Sequence, residues 1–238
     1  MVENVYFCVK LQMMMRLLLA ICMLQAWVLC ADAQTRLASC LNQRDFRQHW
    51  QVESESKDYI MRFLGDTLEL IAPKGLTLWR KERMNGTVDI EYDAMIVVND
   101  SSDRLSDLNC FWMATDPAAE DVFARLPERG GKFANCATLQ LYYVGYGGNY
   151  NSTTRFRRYN GMPDPPLLQE YTDPEHLLEA NRWYRIRLVC GDGRVQYWRD
   201  GELLFDYADP APLTHGWFGF RTTLSRTQIR HFQYKPTN

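Results

Sequence analysis

Short runs of alternating or continuous apolar residues recur along most of the chain, and helical periodicity is nearly absent after the first 33 residues. The runs are separated by Gly, Pro, Asn and Asp at intervals that suit antiparallel strands. The pattern predicts ten strands: Leu68–Ala72, Val88–Val98, Cys110–Ala114, Leu139–Val144, Thr153–Tyr159, Tyr184–Cys190, Val195–Arg199, Leu203–Tyr207, Trp217–Thr223 and Ile229–Tyr234.

Two turn signals join strands near the C-terminus. Asp200-Gly201 is the strongest short hairpin signal in the chain, and Gly191-Asp192-Gly193 predicts a second tight turn. Strands with one apolar face must bury that face, and two stacked antiparallel sheets do so. The predicted fold class is therefore all-β, a two-sheet antiparallel sandwich.

Two C-terminal blocks carry a family resemblance. The block NRWYRIRLVCGDGRVQYWRDGELLFDY contains a Trp-led strand and an Asp-Gly hairpin, and HGWFGFRTTLSRTQIRHFQY contains a Gly-x-x-Gly-Phe-Arg strand and a closing strand. Together they resemble the jelly rolls of the concanavalin A-like lectin/glucanase superfamily. The upstream blocks LNCFWMATDP and LQLYYVGYGGNYNSTTRFRRYNG resemble a secreted bacterial family of unknown function within it, often met near polysaccharide-degradation genes. The resemblance implies a jelly roll and leaves glycosidase, lyase and lectin activities open.

Residues 1–33 have the pattern of a secretory signal peptide. The apolar run from Leu17 to Leu29 follows Lys10 and Arg16, and Ala31-Asp32-Ala33 suits a signal-peptidase cut. The run is too short to span ~30 Å of hydrocarbon. We expect residues 34–238 to form a single domain, secreted or periplasmic and monomeric, with no membrane span.

The amino-acid composition limits the classes of partner that the protein can bind. A net charge of -2 argues against general nucleic-acid binding. The predicted mature chain keeps Cys40, Cys110, Cys136 and Cys190, whose spacing matches no zinc pattern. Two disulfides and buried free thiols both remain open.

The stretch YYVGYGGNYNSTTRFRRY combines five tyrosines with three arginines and has no Lys, Asp or Glu. On a strand, Arg155, Arg157 and Tyr159 share the outer face, spaced about 7 Å apart, while Phe156 faces the core. Guanidiniums at this spacing suit a ligand that carries carboxylates or sulfates. The candidate ligand contacts of this stretch are Asn149, Asn151, Arg155, Arg157 and Arg158. The alternative is that the arginines pair with acids of a neighbouring strand.

A second row lies in HGWFGFRT. Phe218 and Phe220 are expected to face the core, with His215, Trp217 and Arg221 on the outer face. An exposed Trp beside an Arg would form a platform for a sugar ring. The alternative is that a loop covers Trp217.

Three carboxylates are candidates for glycoside hydrolysis. Asp89, Glu91 and Asp93 share the polar face of one strand, at a spacing compatible with a catalytic acid pair. The Asp-x-Glu-x-Asp pattern departs from the Glu-x-Asp-x-x-Glu of glycosidases in the superfamily. A solvated face that pairs with arginines explains the acids equally well.

Cleavage of a uronate chain by β-elimination would use other residues. It needs a cation to neutralise the carboxylate and a group that takes the adjacent proton. The candidate catalytic residues for β-elimination are Tyr143, Tyr159, His215 and His231. Glu91 and Asp93 remain candidate catalytic residues for hydrolysis. His231 is expected to face the same groove as the arginines. Ser106, Asp107 and Asn109 could bind a ligand or a metal such as calcium, but two carboxylates, Asp107 and Asp116, are too few to predict a metal site, and no cofactor is predicted.

Three functions follow as hypotheses. The first is a secreted enzyme acting on a uronate-containing polysaccharide such as pectin or rhamnogalacturonan, with an acidic polysaccharide or oligosaccharide as partner. The second is a non-catalytic glycan-binding module. The third is a glycosidase that uses the carboxylate strand.

Overall fold

The computed structural model describes residues 41–237, so the predicted signal peptide and Cys40 lie outside the described residues. Fifteen strands make up most of the described chain: β1 Trp50–Ser54, β2 Ile60–Leu64, β3 Thr67–Ile71, β4 Gly75–Arg80, β5 Met84–Asn85, β6 Thr87–Val97, β7 Leu108–Thr115, β8 Gln140–Gly147, β9 Thr153–Asn160, β10 Leu167–Tyr171, β11 Tyr184–Gly191, β12 Arg194–Arg199, β13 Glu202–Ala208, β14 His215–Thr223 and β15 Arg226–Thr237.

Helical segments are short. One-turn segments span Phe46–His49 (α1), Leu126–Arg129 (α2) and Gly148–Asn151 (α3), and 3₁₀ turns span Phe133–Thr138 and Pro174–His176. No helix in the described part of the chain is long and apolar enough to cross a membrane.

The strands form two antiparallel sheets. One has eight strands, in the order β1-β4-β14-β7-β8-β9-β10 with β5 paired to β14; the other has seven, in the order β13-β12-β11-β6-β15-β3-β2. The inner faces of both sheets pack into one apolar core. This two-sheet sandwich confirms the predicted fold class.

All ten predicted strands are present, with ends that differ by up to three residues. Phe218 and Phe220 lie in the core, as the alternation predicts. Asp200 and Gly201 form a two-residue turn with positive φ angles of 53° and 85°, the geometry that makes Asp-Gly a hairpin signal. The pattern missed β1, β2, β4, β5 and β10.

Candidate functional site

The outer face of the eight-stranded sheet carries rows of side chains that run across the strands. In one row Asn109 of β7 lies opposite Gly145 of β8, Gly145 opposite Arg155 of β9, and Arg155 opposite Glu170 of β10. In the next row Phe111, Tyr143, Arg157 and Leu167 are neighbours in the same way. The β8–β9 hairpin therefore brings two arginines and an aromatic ring together on one surface.

Gly145 leaves a gap in the first row. A side chain at position 145 would collide with the Tyr143 hydroxyl, because a Cβ there would lie 2.4 Å from it. The Tyr143 ring therefore lies over the position that a larger residue would occupy.

Residues 116–139 connect β7 to β8 and cover part of this sheet face. They are called here the covering segment. Its Phe133 ring packs 5.4 Å from Tyr143, and its Phe123 ring packs edge-on 5.9 Å from Trp217. Arg129 is buried and holds the segment to the sheet, with ion pairs to Glu53 at 3.3 Å and Asp116 at 3.4 Å. The covering segment leaves only the β8–β9–β10 side of the face accessible.

A cavity of about 600 Å³, called here the sheet cavity, occupies that accessible side. Its walls combine guanidinium, carboxylate, amide and aromatic groups. Its lining residues are Arg104, Asp107, Asn109, Phe133, Tyr143, Gly145, Gly148, Asn149, Tyr150, Thr153, Arg155, Arg157, Tyr159, Asp164, Pro165, Pro166, Leu167 and Thr223. The sheet cavity thus brings together five of the predicted site residues: Tyr143, Asn149, Arg155, Arg157 and Tyr159.

Three arginines line the sheet cavity, and they differ in their partners. Arg104 pairs with Asp107 at 2.6 Å, and Arg155 pairs with Glu170 at 3.1 Å. Arg157 donates to the backbone oxygen of Pro165 at 2.6 Å, and no carboxylate of the described residues pairs with it. A neutral carbonyl leaves the charge of Arg157 uncompensated, so this guanidinium is the cavity group best suited to bind an anion.

Two of the three cavity tyrosines, Tyr143 and Tyr159, are buried neutral phenols. Burial raises the pKa of Tyr143 well above its ordinary value, and burial also raises the pKa of Tyr159, although the charge of Arg157 opposes the rise. Their rings pack edge-to-face 5.8 Å apart. Both hydroxyls therefore remain protonated at neutral pH.

The predicted sugar platform at Trp217 is wrong. Trp217 is only 7% exposed because Phe123 covers it, and its indole nitrogen donates to the Lys81 oxygen at 3.1 Å. Arg221 is 2% exposed and donates to Thr77 and to the Gly131 oxygen. Both residues are on the predicted outer face, but they lie under the covering segment, and neither lines the sheet cavity.

Two further predicted ligand contacts have other partners. Arg158 pairs with Asp209 at 2.6 Å and donates to the Ala211 oxygen, so it binds the loop before β14. Asn151 bonds through its amide to both backbone groups of Leu178, at 2.8 Å each. Neither side chain lines the sheet cavity.

The candidate catalytic carboxylates lie on the outer face of the other sheet. Asp89 pairs with Arg187 at 2.7 Å, Glu91 lies 3.7 Å from Arg185, and Asp93 pairs with Arg185 at 2.9 Å. The arginines belong to β11, which pairs directly with β6. This arrangement matches the alternative of a charged outer face.

The expectation that His231 shares a groove with the arginines is also wrong. β15 belongs to the seven-stranded sheet, where the His231 side chain lies 2.9 Å from Asp93 and 3.1 Å from Asp66, beside a register shift between Arg230 and Gln233. His215 is exposed at the start of β14, opposite Asn85 of β5. Neither histidine lines the sheet cavity.

The sequence predicts no metal site and leaves both disulfides and buried free thiols open. Among residues 41–237, no group of three or more His, Cys, Asp or Glu side chains is placed to hold a metal ion. Cys110, Cys136 and Cys190 are free and buried, which matches the buried-thiol alternative for these three residues.

Arg104 and Tyr150 are two of the cavity residues that were not predicted as site residues. Arg104 comes from the loop before β7, and nothing in its local sequence indicates that the loop folds back to the β8–β9 hairpin. Tyr150 sits in GGNYN, where the Gly and Asn neighbours that tolerate left-handed backbone were a usable signal. Their contact, 4.5 Å from the Arg104 guanidinium to the Tyr150 ring, depends on the tertiary fold.

The fold defines a lectin-like β-sandwich. A Bacillus subtilis protein of unknown function with a galectin-like fold is 18% identical, with 84% of this chain and 94% of that chain covered and a TM-score of 0.67. The carbohydrate recognition domain of Emp46p, in its metal-free form, is 11% identical, with 85% and 94% covered and a TM-score of 0.60. The carbohydrate-binding module CBM66 from Bacillus subtilis is also 11% identical, with 79% and 95% covered and a TM-score of 0.54.

The chain belongs to a family described as Domain of unknown function (DUF6250), whose model matches residues 70–232. No curated protein matches the chain by sequence. The matched range contains the whole sheet cavity and the covering segment.

Proposed function

We propose that the protein binds an acidic oligosaccharide or polysaccharide chain in the sheet cavity, with a carboxylate held by Arg157. The observation that carries this proposal is the guanidinium of Arg157, which no carboxylate of the described residues neutralises, in a cavity that also offers phenol and amide groups. Guanidinium groups bind carboxylates through two parallel hydrogen bonds.

The chemistry of the cavity walls supports a sugar ligand. Hydroxyl-rich ligands need hydrogen-bond donors and acceptors close to apolar surface. Asn109, Asn149, Tyr143 and Tyr159 supply both. Two of the similar folds are named as carbohydrate-binding or carbohydrate-recognition domains, which agrees with the proposal.

The test is calorimetric titration of residues 34–238 with polygalacturonate, rhamnogalacturonan and a neutral galactan. We expect the acidic polymers to bind and Arg157→Ala to weaken that binding by about 1.5 to 3 kcal/mol, the range for a hydrogen-bonded charge. Arg157→Lys keeps the charge but loses the bidentate geometry, so an intermediate loss is expected.

Arg194→Ala is the matched control. Arg194 is exposed on the seven-stranded sheet and pairs with Asp206, so this variant should bind like the wild type. Equal losses in both variants would show that general surface charge, and not the sheet cavity, attracts the polymer. Binding of the neutral galactan alone would overturn the acidic assignment.

A second candidate function is cleavage of a uronate chain by β-elimination. The observation that favours it is the position of Arg157 and the phenol of Tyr159 on one face of β9, where both line the sheet cavity. In this reaction a base takes the proton next to the carboxylate, a carbon–carbon double bond forms, and the glycosidic C–O bond breaks as the leaving oxygen takes a proton from the Tyr159 hydroxyl. Ultraviolet absorbance of unsaturated uronate, lost in Tyr159→Phe, would establish this activity; binding without absorbance would exclude it for the polymers tested.

The proposed function includes the cellular location in which the protein acts. We infer that residues 1–33 direct export and that residues 34–238 meet the polysaccharide outside the cytoplasm. Mass spectrometry of the protein recovered from its host tests this, because cleavage after Ala33 would leave Gln34 as the first residue.

A further inference from the structure

A left-handed turn stands at one end of the sheet cavity. Asn149, Tyr150 and Asn151 have φ angles of 51°, 58° and 59°, three consecutive non-glycine residues in a region that is unfavourable for side chains. Such backbone persists only where surrounding contacts hold it, and it is concentrated at functional sites.

The contacts that hold the turn are visible on both sides of Tyr150. The amide of Asn151 bonds to the N–H and the C=O of Leu178, and the Ser152 hydroxyl donates to the Asn149 oxygen at 2.7 Å. None of these bonds involves the side chain of Tyr150. The turn therefore fixes the Tyr150 backbone and leaves its ring free to contact something else.

The ring of Tyr150 is exposed and supported on one face. It is 79% exposed, the most of any large hydrophobic residue in the described chain. The Arg104 guanidinium lies over one face at 4.5 Å and is itself held by Asp107 and by the Thr223 oxygen at 2.7 Å. One face of the ring is thus covered by Arg104, and the ring, which lines the sheet cavity, is otherwise largely exposed.

The position of Tyr150 relative to Arg157 sets the direction of a ligand that contacts both. The turn joins β8 to β9 and ends just before Thr153. Arg157 lies four residues after Thr153 along β9. Four residues of strand extend roughly 13 Å. A ligand that contacts both Arg157 and Tyr150 therefore extends along β9 toward the turn.

We propose that Tyr150 is a stacking platform for a second sugar ring, so that the sheet cavity binds an acidic oligosaccharide across at least two subsites. This inference rests on the proposed glycan binding. The uronate unit lies at Arg157, and the apolar face of another unit packs on the exposed ring of Tyr150, which buries C–H groups against the ring. Affinity should then depend on chain length through Tyr150.

The experiment compares galacturonic acid with trigalacturonic acid. Binding of the trisaccharide is measured by calorimetry and binding of the monosaccharide by ligand-observed NMR, for the wild type, Tyr150→Ala, Tyr150→Phe and Arg157→Ala. We expect Tyr150→Ala to weaken trisaccharide binding about tenfold, the scale of one lost aromatic contact, and to leave the monosaccharide within twofold. Tyr150→Phe keeps the ring and should bind both like the wild type.

The outcomes separate the platform from the proposed function. If the wild type binds neither sugar, the glycan-binding proposal fails and the platform fails with it. If Arg157→Ala loses both sugars while Tyr150→Ala keeps the trisaccharide, glycan binding stands and the platform is wrong. Equal losses of both sugars in Tyr150→Ala would mean that the turn only shapes the Arg157 subsite, which also overturns the platform.

A second readout is independent of affinity. Tyr150 is far more exposed than the buried Tyr143 and Tyr159, so tetranitromethane should nitrate it first. Saturating trisaccharide should protect Tyr150 from nitration, as followed by peptide mass spectrometry. Unchanged nitration in the presence of bound trisaccharide would contradict the stacking.

Discussion

At the scale of single residues, Tyr150 stands in a backbone conformation that opposes its own side chain. Glycine adopts positive φ without steric cost, whereas alanine at the same position keeps the unfavourable contact. We expect Tyr150→Gly to be more stable to unfolding than Tyr150→Ala by about 1 kcal/mol. Urea denaturation of the two variants measures the difference. A less stable glycine variant would show that the left-handed turn carries no strain.

Asp93 is a residue whose charge is fixed by its partners. Burial acts to raise the pKa of Asp93, but hydrogen bonds from Arg185 and His231, together with their charges, lower it below its ordinary value. A carboxylate with a lowered pKa stabilises the folded state above the unfolded pKa of about 3.9, and the contribution is lost as pH falls through the folded value.

Asp93→Asn should therefore lower the free energy of unfolding by about 1 to 3 kcal/mol at pH 7, with a difference that shrinks below about pH 4. Glu91→Gln is the control, because its 3.7 Å pair with Arg185 is half-exposed and should contribute less than about 1 kcal/mol. Denaturation across a pH series measures both. A loss that stays constant to pH 2 would exclude ionisation of Asp93 as the cause.

At the scale of elements, the covering segment decides how much of the sheet face a ligand can reach. Arg129 is its main polar anchor, buried between Glu53 and Asp116. Removing one member of a buried ion cluster leaves the others unpaired, so we expect Arg129→Ala to destabilise the protein by about 3 to 5 kcal/mol. Hydrogen exchange over residues 116–139 should increase in the same variant.

Arg125 provides the matched control for the covering segment. It pairs with Glu128 and Asp116 but is partly exposed. Arg125→Ala should change stability much less than Arg129→Ala does and leave hydrogen exchange of the segment unchanged. Equal effects of the two substitutions would mean that the segment is not anchored through Arg129.

At the scale of the whole molecule, three thiols report on the integrity of the sandwich. Burial raises the pKa of Cys110 to about 12, of Cys136 to about 11 and of Cys190 to about 12. Because the thiolate is the reactive form, all three should resist iodoacetamide at pH 8 until the protein unfolds. Mass spectrometry of a Cys40→Ser variant during urea denaturation measures this. Labelling of any of the three in native buffer would show local opening at that strand.

The architecture was largely predictable from local sequence. Side chains of a strand alternate between its two faces, so a half-buried strand leaves a period of two in the sequence, as in β6, where Val88, Ile90 and Tyr92 are buried. The Asp200-Gly201 turn is equally local. Two of the missed strands lack that period: β4 is buried at all six positions, and β10 is exposed at three of five. Only pairing with their neighbours identifies them as strands.

The candidate site was predictable only in part, and the division has a physical cause. Alternation alone put Arg155, Arg157 and Tyr159 on one face of β9, because that relation depends on nothing beyond one strand. Three other features depend on residues far apart in the chain: which sheet the strand joins, which part of its face the covering segment buries, and which guanidinium keeps a free charge. The exposure of Trp217 and the groove of His231 were wrongly predicted for this reason, since Phe123 covers the indole and β15 joins the other sheet. Strand identity is a local property of the chain, whereas the exposure and charge of a binding site arise only when distant segments pack together.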